Sequence, residues 1–301
     1  MSIWLACQFV TRGFRQALMA SIAAMGLVLA TPNIAPAIVG GTETRINEFP
    51  WMLRLVDVKK PQVYCGAALI ADQYALTAAH CLHERDTRTM GVVASEHDIR
   101  TDLTTSVAKM HRISNVVIHP QYRFTANDIA VVKIDGRFGI DQRYCALSNP
   151  QEHFPANGVR VGAICLPRQE TSPFATVMLA GWGLTEFGGA KAPTLQKADV
   201  RAISRDQCKE TYGNRVTEHT LCTYAPGRDS CHMDSGGPVT EALLPDTSRR
   251  YQLAGIITAG IGCDSGMPSL NMRVSSFVDW IRSITPGVRY PTQFPPRSLG
   301  R

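Results

Sequence analysis

The sequence predicts an all-β protein of the sandwich or barrel type. Short apolar runs recur along the chain after residue 37, separated by Gly, Pro, Asn and Asp. Helical periodicity is confined to one segment near the C-terminal end. Hydrophobic residues make up 45% of the 301-residue chain and charged residues 19%, the balance of a soluble protein with a substantial core.

Residues 1–37 read as a targeting segment. Arg12 and Arg15 precede the apolar stretch Ala17 to Ala30, which ends before TPNIAPA. That stretch is 14 residues long, shorter than the roughly 20 needed to span a bilayer. Positive, apolar, then small residues before a cut site suit a secretory signal. The signal is expected to occupy 1–37, with 1–30 plus a short propeptide 31–37 as the alternative. The domain is expected over 38–285, and 286–301 is expected as a loosely ordered tail. The net charge of +6 comes with no basic block or basic helix face, so neither nucleic acid nor a membrane is an expected partner.

The strand candidates follow in order. Phe49-Pro50-Trp51 leads into an alternating stretch; Cys65 to Ile70 and Ala75 to Cys81 flank the turn Ala71-Asp72-Gln73. Asn115 to Ile118, Ile129 to Ile134, Thr176 to Ala180 and Leu253 to Ile257 complete the set. Val274, Phe277, Val278, Ile281 and Ile284 form one helical stripe, with Trp280 beside it, as expected of a helix docked on a core. Cys7 leaves with the leader, and the other eight cysteines form an even set, as an oxidising compartment favours. No C-x-x-C pair occurs, and His83-Glu84 fails as H-E-x-x-H because Thr87 holds the second histidine position. No metal site and no cofactor are expected.

Peptide hydrolysis by a serine needs a nucleophile, a base, a carboxylate to orient the base, and donors for the oxyanion. His80 lies in Thr77-Ala78-Ala79-His80-Cys81, Asp128 in Asn127-Asp128-Ile129-Ala130, and Ser235 in Asp234-Ser235-Gly236-Gly237-Pro238. Each tract alone reads as a packed histidine, a turn or a glycine loop. Together, in the order His, Asp, Ser, they read as a triad, and that order excludes the α/β-hydrolase arrangement.

These tracts resemble the trypsin/chymotrypsin family. Ile38-Val39-Gly40-Gly41, TAAHC, NDIA, Gly181-Trp182-Gly183, DSGGP and Gly260 stand in family order, over roughly 38–285. The resemblance implies two antiparallel six-stranded β-barrels with a C-terminal helix and the site between them. It implies a secreted serine endopeptidase with His80 as general base, Asp128 as its orienter and Ser235 as nucleophile. Backbone N–H groups of Met233 and Ser235 would form the oxyanion hole. Asp229 would lie at the floor of a pocket also formed by Thr258, Gly260 and Ser269, selecting Arg or Lys at the cleavage site of protein or peptide substrates. Protein protease inhibitors are the other expected partners. Ile38, once its amine is free, would pair with Asp234. Because Ala35-Pro36-Ala37 looks like a signal-peptidase site, signal removal itself is expected to free Ile38.

The resemblance implies bridges Cys65–Cys81, Cys208–Cys222 and Cys231–Cys263. Cys165 stands where relatives bond a light chain or pro-region; here Cys145, in an extended loop 135–162, is its expected partner. Two other family bridges lack both partners.

Four positions depart from the family pattern: Met233 for Gly, Ala259 for Trp, Thr258 for Ser and Ser269 for Gly. Met233 motivates the alternative of a catalytically weak homologue that acts by binding. Stretches from Cys222 to Ser235, Thr185 to Gly189 and Pro268 to Asn271 are similar to arthropod venom or haemolymph serine proteases. Ser95-Glu96-His97-Asp98 lies where some relatives hold calcium, but its oxygen ligands are too few and a solvated loop is expected.

Overall fold

In the computed structural model, the described residues are 38–59, 63–101, 108–148, 160–186, 188–243 and 249–292. Residues 1–37, where the leader is expected, and residues 293–301 lie outside them.

The first half of the chain forms β2 (Met52–Asp57), β3 (Val63–Ala71), β4 (Tyr74–Thr77), β5 (Met90–Ala94), β6 (Lys109–Ile118) and β7 (Ala130–Ile134). They close antiparallel into a six-stranded barrel in the order β2-β3-β4-β7-β6-β5. Closure leaves no unpaired strand edge. The second half forms β8 (Thr176–Gly181), β9 (Gln196–Ile203), β10 (Thr220–Tyr224), β11 (Pro238–Ala242), β12 (Tyr251–Ala259) and β13 (Ser269–Arg273). Additional pairing of β8 with β9 closes these six, and the short β1 (Thr42–Glu43) adds to β9 at its edge. The two-barrel, all-β expectation holds.

Sequence pattern explains the burial. Along β9, inward Gln196, Ala198, Val200 and Ala202 alternate with residues that face out at least in part, the period-2 pattern of a half-buried strand. In β3 burial is nearly continuous, because this strand faces its own barrel core and also the second barrel. Gly66 N–H donates to Ser235 O at 2.8 Å, and a Cβ on Gly66 would come within 2.8 Å of Gly237 Cα. Backbone therefore meets backbone where the barrels touch, which only glycine allows.

The strand expected over Ala75 to Cys81 stops at Thr77, and Ala79–Cys81 is instead a 3-10 turn. The C-terminal helical stripe begins as a 3-10 turn, Val274–Phe277, before α2 (Val278–Ile284). A further helix, α1 (Arg205–Tyr212), was not anticipated, although Ser204 and Gln207 form a reciprocal capping box that is readable as S-x-x-Q. After α2 the chain, expected to be loosely ordered, is bonded as far as Thr292. The Thr292 carbonyl accepts from Cys145 N–H at 3.0 Å, and its N–H donates to Arg143 O at 3.2 Å.

The Ser95–Asp98 tract is not a solvated loop. Glu96 is 8% exposed and ion-pairs with buried Arg54, whose Nη2 donates to Glu96 Oε1 at 2.7 Å. Burial pulls the Arg54 guanidinium down to about 10. His97 O accepts from Trp182 Nε1 at 3.0 Å and from Leu195 N–H at 2.9 Å, tying this segment to the second half of the chain. Among the described residues no helix is long and apolar enough to cross a membrane.

Candidate active site

His80 rises from the turn that ends β4, beside the Cys65–Cys81 disulfide. Asp128 is fully buried two residues before β7, and it holds the histidine at two points. His80 N–H donates to Asp128 Oδ1 at 2.8 Å, and Nδ1 lies 2.7 Å from Oδ2. An ionised carboxylate only accepts, so Nδ1 carries the proton of this contact; in the neutral ring Nε2 then keeps its lone pair, and it lies 3.7 Å from Cys81 Sγ. Asn127 reaches this turn with a φ of 49°, in the left-handed region that Asn tolerates.

Ser235 is wired to both barrels. Its carbonyl accepts from Gly66 of β3, while the following Gly236 donates to Ile257 O of β12 at 2.7 Å. Gly236 has a φ of 79°, and a Cβ there would stand 2.1 Å from Thr77 Oγ1 and 2.5 Å from Gly66 O. Glycine is therefore obligatory at this position. His80 and Ser235 line one cleft of about 350 Å³, with Ser230, Cys231 and Ile257 to Gly260 along its wall. Among the described residues no hydrogen bond joins the imidazole to the hydroxyl; such bonds are commonly long before substrate arrives.

Met233 has a φ of 79°. It holds a left-handed backbone conformation that favours glycine, which costs an L-residue about 1–2 kcal/mol. The turn is closed by Asp234 N–H to Cys231 O at 3.0 Å, and Gly237 N–H donates to Asp234 O at 2.9 Å.

Asp234 is 1% exposed, and its carboxylate accepts from Gly183 N–H at 2.8 Å and Cys231 N–H at 2.9 Å. Cβ atoms on Gly181 or Gly183 would fall 2.0 Å and 2.5 Å from that carboxyl group, so Gly-Trp-Gly is the cradle that admits it. Burial nevertheless pushes its pKa up to about 7. Ile38 is also fully buried, in the core cluster that includes Val177, Leu179 and Val200. Among the described residues no hydrogen bond or ion pair links Ile38 to Asp234, and the Ile38 nitrogen is still in peptide linkage.

Asp229 is 8% exposed. Ser269 Oγ donates to its Oδ1 at 2.5 Å and Asp264 N–H to its Oδ2 at 3.2 Å. Burial raises its pKa despite these donors. Gly260 lines the cleft, and Thr258 Oγ1 is turned to Leu270 O at 2.9 Å. Four disulfides form: Cys65–Cys81, Cys145–Cys165, Cys208–Cys222 and Cys231–Cys263. The one His/Cys group with metal-ligand spacing among the described residues, Cys65, His80 and Cys81, contains the first of these bridges, so its sulfurs are not free thiolates.

Sequence reading missed three residues here. His232 and Phe124 line the cleft, and Asp264 adds a backbone donor to Asp229. His232 could have been flagged by its place next to Met233; nothing in the local sequence marked Phe124 or Asp264.

A family model described as Trypsin matches residues 38–281. A venom serine protease of Polistes dominula is 38% identical over 262 residues, covering 84% of this chain and 87% of that protein. Venom serine protease 34 of Apis mellifera is 37% identical over 262 residues; the match covers 84% of this chain and 60% of that protein. Trypsin-1 of Astacus astacus is 31% identical over 257 residues, covering 82% of this chain and 99% of that protein.

Proposed function

The chain belongs to the trypsin family and is a serine endopeptidase, and from that premise we propose that it is secreted and cuts protein or peptide substrates after basic residues, with His80, Asp128 and Ser235 as its triad. The observation that carries this reading is the two-point hold of buried Asp128 on His80, in a cleft shared with Ser235.

With Nδ1–H bonded to Asp128, His80 Nε2 takes the Ser235 hydroxyl proton as the oxygen attacks the scissile carbonyl. The imidazolium that forms is stabilised by the buried carboxylate. It then protonates the leaving amine, and an acyl-enzyme on Ser235 remains for water to release. Backbone N–H groups of Met233 and Ser235 receive the oxyanion; one such donor is worth about 2.7–4 kcal/mol. Met233 already holds a glycine-like φ, which supports an active enzyme over the weak-homologue reading. Asp229 is the anion that selects a cationic side chain.

In this reading, activity begins when Ile38 is freed. The new ammonium pairs with Asp234, a carboxylate that burial leaves near neutral. Signal removal after Ala37 performs this step directly, and N-terminal sequencing of the secreted form checks it: Ile38 is expected first, and Thr31 first overturns it. The triad is tested by labelling with a serine-directed phosphonylating reagent. Wild type is expected to label and Ser235→Ala to remain unlabelled; equal outcomes favour the binding role. Phe-ended peptides turned over faster than Arg- and Lys-ended ones would overturn the basic specificity.

A further inference from the structure

We propose that a groove on the outer face of the second barrel is a docking site for an acidic, aromatic-bearing peptide segment of a partner protein. The groove shares no lining residue with the cleft that holds His80 and Ser235, so it is a second site and not an extension of the first.

Strand register builds it. Thr176 of β8 stands opposite Arg201 of β9, and Arg201 stands opposite Tyr224 of β10. Directly opposed residues share a face of the sheet. Because Ala198, Val200 and Ala202 of β9 turn inward, this row lies on the outside of the barrel. Phe174 precedes the row at its β8 end. At its β10 end a turn follows, closed by Arg228 N–H donating to Ala225 O at 3.3 Å. The space between them is about 470 Å³, within the size range of ligand clefts.

Three observations define the occupant. First, the lining is largely apolar: Phe174, Ile203, Tyr224, Ala225 and Pro226 all contribute, and Phe174 is 60% exposed. Second, Phe174 has a φ of 69°, a left-handed conformation that costs an L-residue about 1–2 kcal/mol. Its N–H donates to Ala202 O at 2.7 Å, which fixes this backbone and leaves the ring in solvent. Strain of this kind concentrates at ligand clamps. Third, Arg201 and Arg228 line the groove, and among the described residues no ion pair joins either to a carboxylate. Arg228 Nη1 reaches only the backbone carbonyl of Asp199, at 3.5 Å. Asp199 is the single acid in the lining.

Two cations against one acid favour an anionic ligand, yet they are too few to hold a polyanion by charge alone. The apolar lining decides for a peptide. An aromatic anchor enters between Phe174 and Tyr224, as buried aromatic anchors do at protein interfaces. Flanking Glu or Asp carboxylates meet Arg201 and Arg228, whose planar forks match them.

The experiment measures fluorescence anisotropy of a labelled peptide, Glu-Asp-Phe-Glu-Glu-Leu, on the secreted Ser235→Ala chain. Saturable binding is expected. It should weaken about tenfold when Gln and Asn replace the acids, and by a similar factor when Ser replaces Phe and Leu, tests that leave the protein unchanged. Phe174→Ser and Arg201→Ser, with melting midpoints near the parent's, should each cost about tenfold as well. A short Arg-ended peptide should not displace the probe; displacement would place the probe in the His80 cleft and overturn the proposal. So would absence of saturable binding, or affinity unchanged by Phe174→Ser, which would reduce the groove to a simple anion patch. Dimerisation of the chain in sedimentation, abolished by Phe174→Ser, would assign the groove to a second copy instead. None of these outcomes depends on turnover, so the site stands or falls separately from the protease reading.

Discussion

In the first barrel, the site residues find their partners within the fold: the His80 ring and backbone N–H both end on Asp128, and the Cys65–Cys81 bridge ties the turn to β3. In the second barrel, the loop from Asp229 to Gly236 holds two buried carboxyl groups whose pKa values burial raises, and a methionine in a left-handed conformation. One half is completed by folding. The other carries desolvated anions that a cation from elsewhere would satisfy, Asp229 by a substrate side chain and Asp234 by the freed Ile38 amine. Burying a carboxylate without a counter-charge is unfavourable, so in the proposed reading each would bind the charge it lacks.

The largest effect should come from breaking the completed half. Asp128→Asn leaves the shape but allows the wrong histidine tautomer, and kcat should fall about 10⁴-fold. A loss of less than tenfold would mean that the His80–Asp128 contact does not set the tautomer.

Next comes the pocket floor. Asp229→Ser should lower kcat/KM for basic peptides by about 2–5 kcal/mol, or about 30- to several-thousand-fold, with Phe-ended peptides little affected. Because its pKa is raised, Asp229 becomes neutral at a higher pH than an ordinary aspartate. The KM for basic peptides should therefore begin to rise, on acidification, above the usual carboxylate range. A flat KM there would contradict the burial argument.

Asp234 sharpens the comparison through stability. Its carboxyl titrates near 7 in the fold against an ordinary 3.8, so the folded state binds the proton more tightly than the unfolded state. Stability is then greatest below the ordinary value and is lost as pH rises toward 7, by an amount on the order of 4 kcal/mol. Melting curves of a Ser235→Ala chain that retains residues before Ile38 should show this decline. The same variant beginning at Ile38 should not, since its ammonium compensates the charge; identical profiles would argue against the pairing.

The smallest effect is at Met233. Met233→Gly relieves about 1–2 kcal/mol of left-handed strain, partly offset by the greater freedom of glycine in the unfolded chain. A urea midpoint shifted up by less than about 1 kcal/mol equivalent is expected, with kcat within a few-fold of wild type.

The sequence alone determined a good deal here. Turn residues and apolar alternation marked an all-β chain, and TAAHC, NDIA and DSGGP marked three local backbone shapes whose residue types are chemically restricted. The pairing of Cys145 with Cys165 came through the family resemblance, which supplies the places of the other six cysteines. The turns, the alternation and the three tracts are local, so one-dimensional order carries them. Only the tertiary structure put Glu96 against Arg54, where the sequence suggested a solvated loop, turned His80 onto a 3-10 turn instead of a strand, and set Ser269 over Asp229. In each case the deciding term is desolvation or a hydrogen bond between segments about 40 or more residues apart. Such terms depend on which chains of atoms are brought together in space, and no single segment contains them.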